Sequence, residues 1–302
     1  MRVEPFGFPL DDKLIQKIDI MLKRCTQNNP KRDAVLLFEG AEGEGKTTYS
    51  AAVGYYAKWK TGRVFNHTRV FFDLEKMINF LKETDEQIAI WDEPALQALS
   101  KDALTKIVKN LERLLMMARK KRHFIMINMA YFNKFSEYIV WQRPLGMIHV
   151  YSRKELEPGR YVYIRKKNLE FLWNDWRTKR RRMYKKYCSK AIRGTFPGVL
   201  NPNYKFNVLS DFDINHYERE KDAAIASIGI DNKQEEKKEI HSLKFSIANN
   251  IKNAKFPIES QDQLYELMEI NKNTASSWLK RYKPLGNGVL VQNAECTNIN
   301  MG

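Results

Sequence analysis

Residues 34–50 read AVLLFEGAEGEGKTTYS, an apolar run, then a glycine-rich turn, then a stretch that continues as a helix to about residue 59. The spacing G-x-x-x-x-G-K-T is complete in Gly40, Gly45, Lys46 and Thr47. Each residue type has a physical task. Glycines let the backbone turn tightly and bring its N–H groups close to phosphate oxygens. A helix starting near Gly45 points the positive end of its dipole at the same place. The pattern predicts a nucleotide site in which Gly40, Gly43, Glu44, Gly45, Lys46, Thr47 and Thr48 surround the phosphates of ATP. Lys46 would reach the β- and γ-phosphates, and the Thr47 hydroxyl would sit on Mg²⁺. The competing reading, a chance glycine-rich turn, lacks the strand before and the helix after. Glu42 and Glu44 interrupt the loop, and their charges are expected to point outward.

Outward from this stretch, apolar runs alternate with helical patterns to about Ser152, as in a parallel α/β sheet. Strands are predicted at 34–39, 68–72, 87–92, 123–129 and 146–151. A hairpin partner is predicted at 160–165, after Pro158 and Gly159. Helices are predicted at 46–59, 74–82 and 95–119. The last carries Leu99, Leu104, Ile107, Val108, Leu111, Leu114 and Leu115 at helical spacing.

The strand 87–92 ends in Asp92-Glu93 after Ile88, Ala89, Ile90 and Trp91. An Asp at the tip of a buried strand beside the loop-bearing strand is where Mg²⁺ is held through water. The adjacent Glu93 is placed to polarise the water that attacks the γ-phosphate. This pair, about 45 residues after Lys46, reads as a Walker B motif with a catalytic glutamate. The next strand ends at Asn128, which either contacts the γ-phosphate and the attacking water or simply caps a turn.

This constellation resembles the additional-strand P-loop ATPases with a RecA-like core. Within them it looks closest to FtsK/HerA translocases and zonula occludens toxin-like proteins. The resemblance covers about residues 33–165 and rests on Gly40–Thr47, on 88–93, and on a long helix followed by ArgLysLysArg (119–122) and a strand with a polar tip. Many translocases of that group carry Gln where this chain has Asn128. The resemblance implies an α/β fold and a homo-oligomeric ring, such as a hexamer, that moves or packages DNA. An arginine from a neighbouring subunit would complete each site, with Arg119, Arg122, Arg143 and Arg153 as candidates.

Residues 176–193 read WRTKRRRMYKKYCSKAIR, with nine cations in seventeen positions: Arg177, Lys179, Arg180, Arg181, Arg182, Lys185, Lys186, Lys190 and Arg193. The stretch 167–192 reads as one helix, with Trp173, Trp176, Tyr184 and Tyr187 turned to the core. Its basic face suits DNA phosphates, or an acidic protein partner. Residues 217–239 read as a charged linker or exposed helix. Beyond it, Ile240, Leu243, Ile247, Ile251 and Ala254 share a helical face. Residues 262–282 look like a helix-turn-helix packed through Leu264, Leu267, Ile270, Trp278 and Leu279. Its recognition helix would begin near Asn273 and expose Thr274, Ser276, Ser277, Lys280 and Arg281 to DNA. Residues 287–292 are a candidate wing strand, and a helical hairpin for protein contacts is the alternative. The expected organisation is an ATPase domain over 1–215, a charged linker over 216–239 and a small all-α helix-turn-helix DNA-binding domain, with a candidate wing, over 240–302.

Composition bounds the rest. The chain has 302 residues, 52 basic against 36 acidic, and a net charge of +16, which favours a polyanionic partner. No apolar run is long enough to span a bilayer. The N-terminus MRVEPFGFPLDDK has no signal-peptide pattern, and Cys25, Cys188 and Cys296 are too scattered for a disulfide framework or a zinc site. A reducing, cytoplasmic location is expected. Three functions compete on the sequence: an ATP-driven DNA motor, an ATP-switched DNA-binding regulator with slow turnover, and a membrane-associated assembly ATPase anchored by a partner.

Overall fold

The computed structural model describes residues 8–92, 101–152, 159–196, 198–200 and 211–227, together with two short strands at 282–284 and 290–292. Contacts divide the chain into Met1–Ile228 and Gly229–Gly302.

The first unit is built on a seven-stranded sheet. Its strands are β1 (Ala34–Glu39), β2 (Val70–Phe71), β3 (Ile88–Asp92), β4 (Phe124–Met129), β5 (Gly146–Tyr151), β6 (Arg160–Arg165) and β7 (Arg193–Thr195). They lie in the order β2-β3-β4-β1-β5-β6-β7. The first five in that order are mutually parallel, and β6 and β7 add antiparallel at one edge. Every residue of β1, β3 and β4 is buried, as expected of strands covered on both faces.

Alternation sorts the side chains. Leu36, Phe38, Ile90 and Met126 face α1 (Asp12–Thr26) and α2 (Lys46–Thr61), whereas Leu37, Trp91 and Ile127 face α3 (Leu74–Glu83), α4 (Lys101–Met117) and α5 (Lys166–Lys179). Each fully buried Leu or Phe contributes about 1.5–3 kcal/mol relative to exposure. The two layers therefore hold the sheet, and the sheet's C-terminal edge holds the glycine-rich loop.

Local chemistry explains where the elements begin and end. Asp73 caps α3 by accepting from the N–H groups of Glu75 and Lys76 at 2.7 and 3.3 Å. The strand predicted at 68–72 shrinks to Val70–Phe71, because Asn66 accepts from the Thr68 N–H at 3.0 Å and starts a tight turn over His67–Arg69. Helix α1 is absent from the sequence reading, although Asp11 caps it and Leu14, Ile18, Met21, Leu22 and Cys25 are buried along one face.

The single helix predicted over 167–192 is broken. Arg180 closes α5 in the left-handed region (φ 53°), and a short helix, α6 (Tyr184–Tyr187), follows. Packing supplies the reason. Phe132 meets the rings of both Trp173 and Tyr184 at 6.1 Å. In a straight helix those two residues stand about 16 Å apart, so the chain must fold back between them. Left-handed backbone costs an L-residue about 1–2 kcal/mol. The Arg180 guanidinium, 5.1 Å over the Trp176 ring, offsets part of that.

Residues 214–227, placed by the sequence reading mostly in the linker, form helix α7 (Ile214–Ser227). Phe212, just before it, and Tyr217, in its first turn, are buried in the core that includes α1 and α2. In the second unit, β8 (Tyr282–Pro284) pairs antiparallel with β9 (Leu290–Gln292), the latter inside the predicted wing strand. The remainder of the predicted helix-turn-helix, with Thr274, Ser276, Ser277, Lys280 and Arg281, lies outside the described residues.

Candidate functional site

Strand β1 delivers the chain to the loop, and close packing fixes its path. A Cβ on Gly40 would sit 2.3 Å from the Val150 carbonyl oxygen of β5, so only glycine passes there. Gly43 and Gly45 have φ of 80° and 88°, in the region that favours glycine. Helix α2 starts at Lys46, which aims its free N–H groups and dipole into the loop. The Lys46 ammonium curls over the loop and donates to the carbonyls of Gly40 and Ala41, both at 2.9 Å. Thr48 lies half-buried in the first turn of α2.

Glu42 is exposed, as expected, but Glu44 is not turned outward. Its Oε1 accepts from the Ser152 hydroxyl at 2.9 Å, and its Oε2 is buried with no hydrogen-bond partner. The pull is local: Ser152 follows β5 directly and offers a donor beside the loop.

The Thr47 hydroxyl donates to Asp92 Oδ2 at 2.7 Å. Asp92 and Asn128 are register partners on neighbouring strands, and Asn128 Nδ2 donates to Asp92 Oδ1 and to Ser50 Oγ, both at 3.0 Å. Ser50 in turn donates to the Thr47 carbonyl at 3.1 Å. Three elements, α2, β3 and β4, thus meet in one chain of polar contacts. One acceptor in it, Asn128 Oδ1, is buried without a partner. Leaving such an atom unpaired costs about 1–3 kcal/mol. One expectation needs correction: β3 does not lie beside β1. Strand β4 stands between them, so that Asp92 reaches Thr47 across the tip of an intervening strand.

Sequence reasoning missed two contributors. Tyr217, from α7, donates to Asp92 Oδ2 at 3.1 Å. Burial and the Asp92 carboxylate push its phenol pKa well above the ordinary value. Glu39, the last residue of β1, is buried against His149 Nδ1 at 2.7 Å and accepts from the Tyr184 hydroxyl at 2.5 Å. Arg182 stands 3.9 Å from the same carboxylate. A lone acid ending the apolar run AVLLF was the available signal for Glu39; for Tyr217 there was none.

Other predicted residues stand apart. Arg143 is buried at the opposite edge of the sheet, ion-paired with Asp33 and donating to the Leu115 carbonyl at 3.2 Å. Arg122 is ion-paired with Glu86 at that same edge. Arg143 is thereby held inside the fold, and Arg122 has an acidic partner within the chain. Arg119 is exposed, and Glu93 and Arg153 lie outside the described residues.

Arg177, Arg180, Arg181, Arg182, Lys185 and Lys186 are all exposed. Several are tethered: Arg177 to Glu137 at 2.6 Å, Lys186 to Asp175 at 3.1 Å, and Arg182 over the Tyr131 ring at 4.6 Å. Hydrogen bonds from Tyr187, Lys179 and Lys186 hold the Asp175 carboxyl well below the usual range.

Among the described residues no group of three or more His, Cys, Asp or Glu side chains comes together that could hold a metal. One hydroxyl beside one carboxylate is nonetheless a donor set that suits Mg²⁺, which keeps most of its ligands as water and phosphate oxygens. No protein-family model, no curated protein and no solved structure matches this chain.

Proposed function

We propose that this chain is a Mg²⁺-dependent ATP hydrolase of the additional-strand P-loop kind, with a RecA-like core, that works on duplex DNA as a homo-oligomeric motor. The observation that carries the reading is the convergence of Thr47, Asp92 and Asn128 beside a glycine loop at the C-terminal edge of parallel strands.

In this reading Lys46 exchanges the Gly40 and Ala41 carbonyls for phosphate oxygens, and the N–H groups of Gly43–Thr48 surround the phosphates. Thr47 and Asp92 would hold Mg²⁺, which would supply positive charge to offset that developing on the phosphates. Asn128 fixes Asp92 through Nδ2, and its Oδ1, now buried without a partner, would orient the attacking water once the site opens to admit it. Glu93, next in the chain, takes the water's proton. The exposed cations at 177–186 would meet DNA phosphates without regard to sequence. Arg119 is the exposed candidate for the arginine donated to a neighbour.

A second reading, an ATP-switched DNA-binding regulator, draws support from the Tyr217 contact, which closes over Asp92 and suits slow turnover. ATPase rates with no DNA, single strands and long duplex separate the two. A motor is stimulated strongly by long duplex. Tight binding of one sequence with unstimulated, slow hydrolysis would replace it with the switch. No described helix is long and apolar enough to cross a membrane.

A further inference from the structure

The Asp92 carboxylate is nearly saturated. An ionised carboxylate offers about four lone-pair sites. Asn128 takes one on Oδ1, and Thr47 and Tyr217 take two on Oδ2. Because Thr47 bonds Oδ2, a cation held on the Thr47 oxygen would lie nearest that oxygen, and a water bound to it would compete for Oδ2. Thr47 can keep its proton on Asp92 while a lone pair of its own oxygen turns to the cation. Asn128 is locked in β4 by strand register. The donor left to yield is Tyr217.

We propose that Tyr217 is a latch on Asp92: its hydroxyl fills the position that a hydrated divalent cation must take, and loading with nucleotide and metal expels it and loosens the start of α7. This inference rests on the ATP-hydrolase reading above.

The surroundings suit a part that opens. Tyr217 is 4% exposed, so its hydroxyl is shielded from solvent while it holds Asp92. Its ring touches Phe72 and Phe212 at 5.4 and 5.7 Å. Among the described residues, the segment before it is tied down by the buried Phe212 ring and by polar contacts of Asp211 and Asp213. Asp211 pairs with Lys58 and accepts from the Tyr55 hydroxyl at 3.0 Å. The Asp213 N–H donates to His67 Nδ1 at 3.1 Å. Asp211 and Lys58 are both substantially exposed, and ion pairs of that kind contribute little. Closed, the latch weakens cation binding. Open, it carries the state of the site into α7, the last described helix before Gly229.

Two measurements on the full chain test it. Manganese binding in the presence of ADP, read from the free Mn²⁺ signal by electron paramagnetic resonance, should be about fivefold tighter in Tyr217→Phe, since no phenol then competes for Asp92. Equal or weaker binding overturns the latch, weaker binding making Tyr217 a positioning residue for Asp92. In the wild-type protein, amides of 214–220 should exchange faster with Mg²⁺ and ADP than with ADP and a chelator. Unchanged or slower exchange also overturns it, with no variant needed. A fluorescent ADP separates this failure from the larger one. If ADP binds while manganese affinity and exchange stay put, the latch alone falls. If the wild-type protein takes up no ADP with or without metal, the hydrolase reading falls with it.

Discussion

Replacing Asn128 by Ala distinguishes a reactive-site residue from a polar strand cap. The side chain is fully buried and donates to Asp92 Oδ1 and Ser50 Oγ. Losing a hydrogen bond to a charged acceptor costs about 1.5–3 kcal/mol, and losing one to a hydroxyl about 0.5–1.5 kcal/mol. The variant also removes Asn128 Oδ1, which is buried without a partner, and so recovers about 1–3 kcal/mol. The opposing contributions leave a net loss of about 1–2 kcal/mol in stability, small for a residue so deep in the sheet. Turnover responds differently. With Asp92 released on one side and the water unoriented, kcat should fall about 100-fold, as when one preorganised polar contact is lost at a reacting centre. Urea denaturation and phosphate release on the same preparations give the two numbers. A stability loss above about 3 kcal/mol with kcat unchanged per folded molecule would refute the argument and make Asn128 a structural cap.

Charge reversal of Arg180, Arg181 and Lys185 should weaken binding to every duplex and lower the slope of log affinity against log salt by up to about 2.7, at about 0.9 per phosphate contact. Fluorescence anisotropy across a salt series reads it, and an unchanged slope places DNA elsewhere. His123 is fully buried and neutral, accepting from the Gln87 N–H at 3.0 Å while Nε2 faces the Leu81 carbonyl at 3.1 Å. Burial lowers its pKa, so the unfolded chain gains a proton near pH 6.5 that the folded chain refuses. Its contribution is complete above that pH and is lost below it, by up to about 1.4 kcal/mol per pH unit. Urea midpoints of wild type and His123→Gln between pH 7.5 and 5 should converge as pH falls, and parallel curves would contradict this. Burial also raises the Cys25 thiol to about 12, so Cys25 should resist thiol reagents at pH 8 until the protein unfolds, as judged by colorimetric titration.

What the sequence revealed follows range and periodicity. β1, β3, β4, β5 and β6 stand within a residue of their predicted bounds, because buried apolar runs ending in Glu39, Asp92 or a turn need no distant information. That Thr47, Asp92 and Asn128 would lie near the loop was legible because a loop consensus and strand tips mark them locally. The contacts that were not legible link residues far apart in the chain. Tyr217 lies 125 residues from Asp92, and Glu39 lies 110 and 145 residues from His149 and Tyr184. Arg143 looked free in sequence, and its partner Asp33 lies 110 residues away. The break at Arg180 escaped for the same reason, since it is Phe132 that draws Trp173 and Tyr184 together.

The central claim is that the glycine loop binds and hydrolyses ATP. Phosphate release from MgATP by the full chain, measured beside Lys46→Ala and Glu93→Gln with nucleotide binding followed calorimetrically, tests it most directly. Hydrolysis should require Mg²⁺. It should vanish in Lys46→Ala together with tight nucleotide binding, and vanish in Glu93→Gln while ATP binding persists. Phosphate release in folded Lys46→Ala at the wild-type rate, or a wild-type chain that binds no nucleotide, would contradict the account.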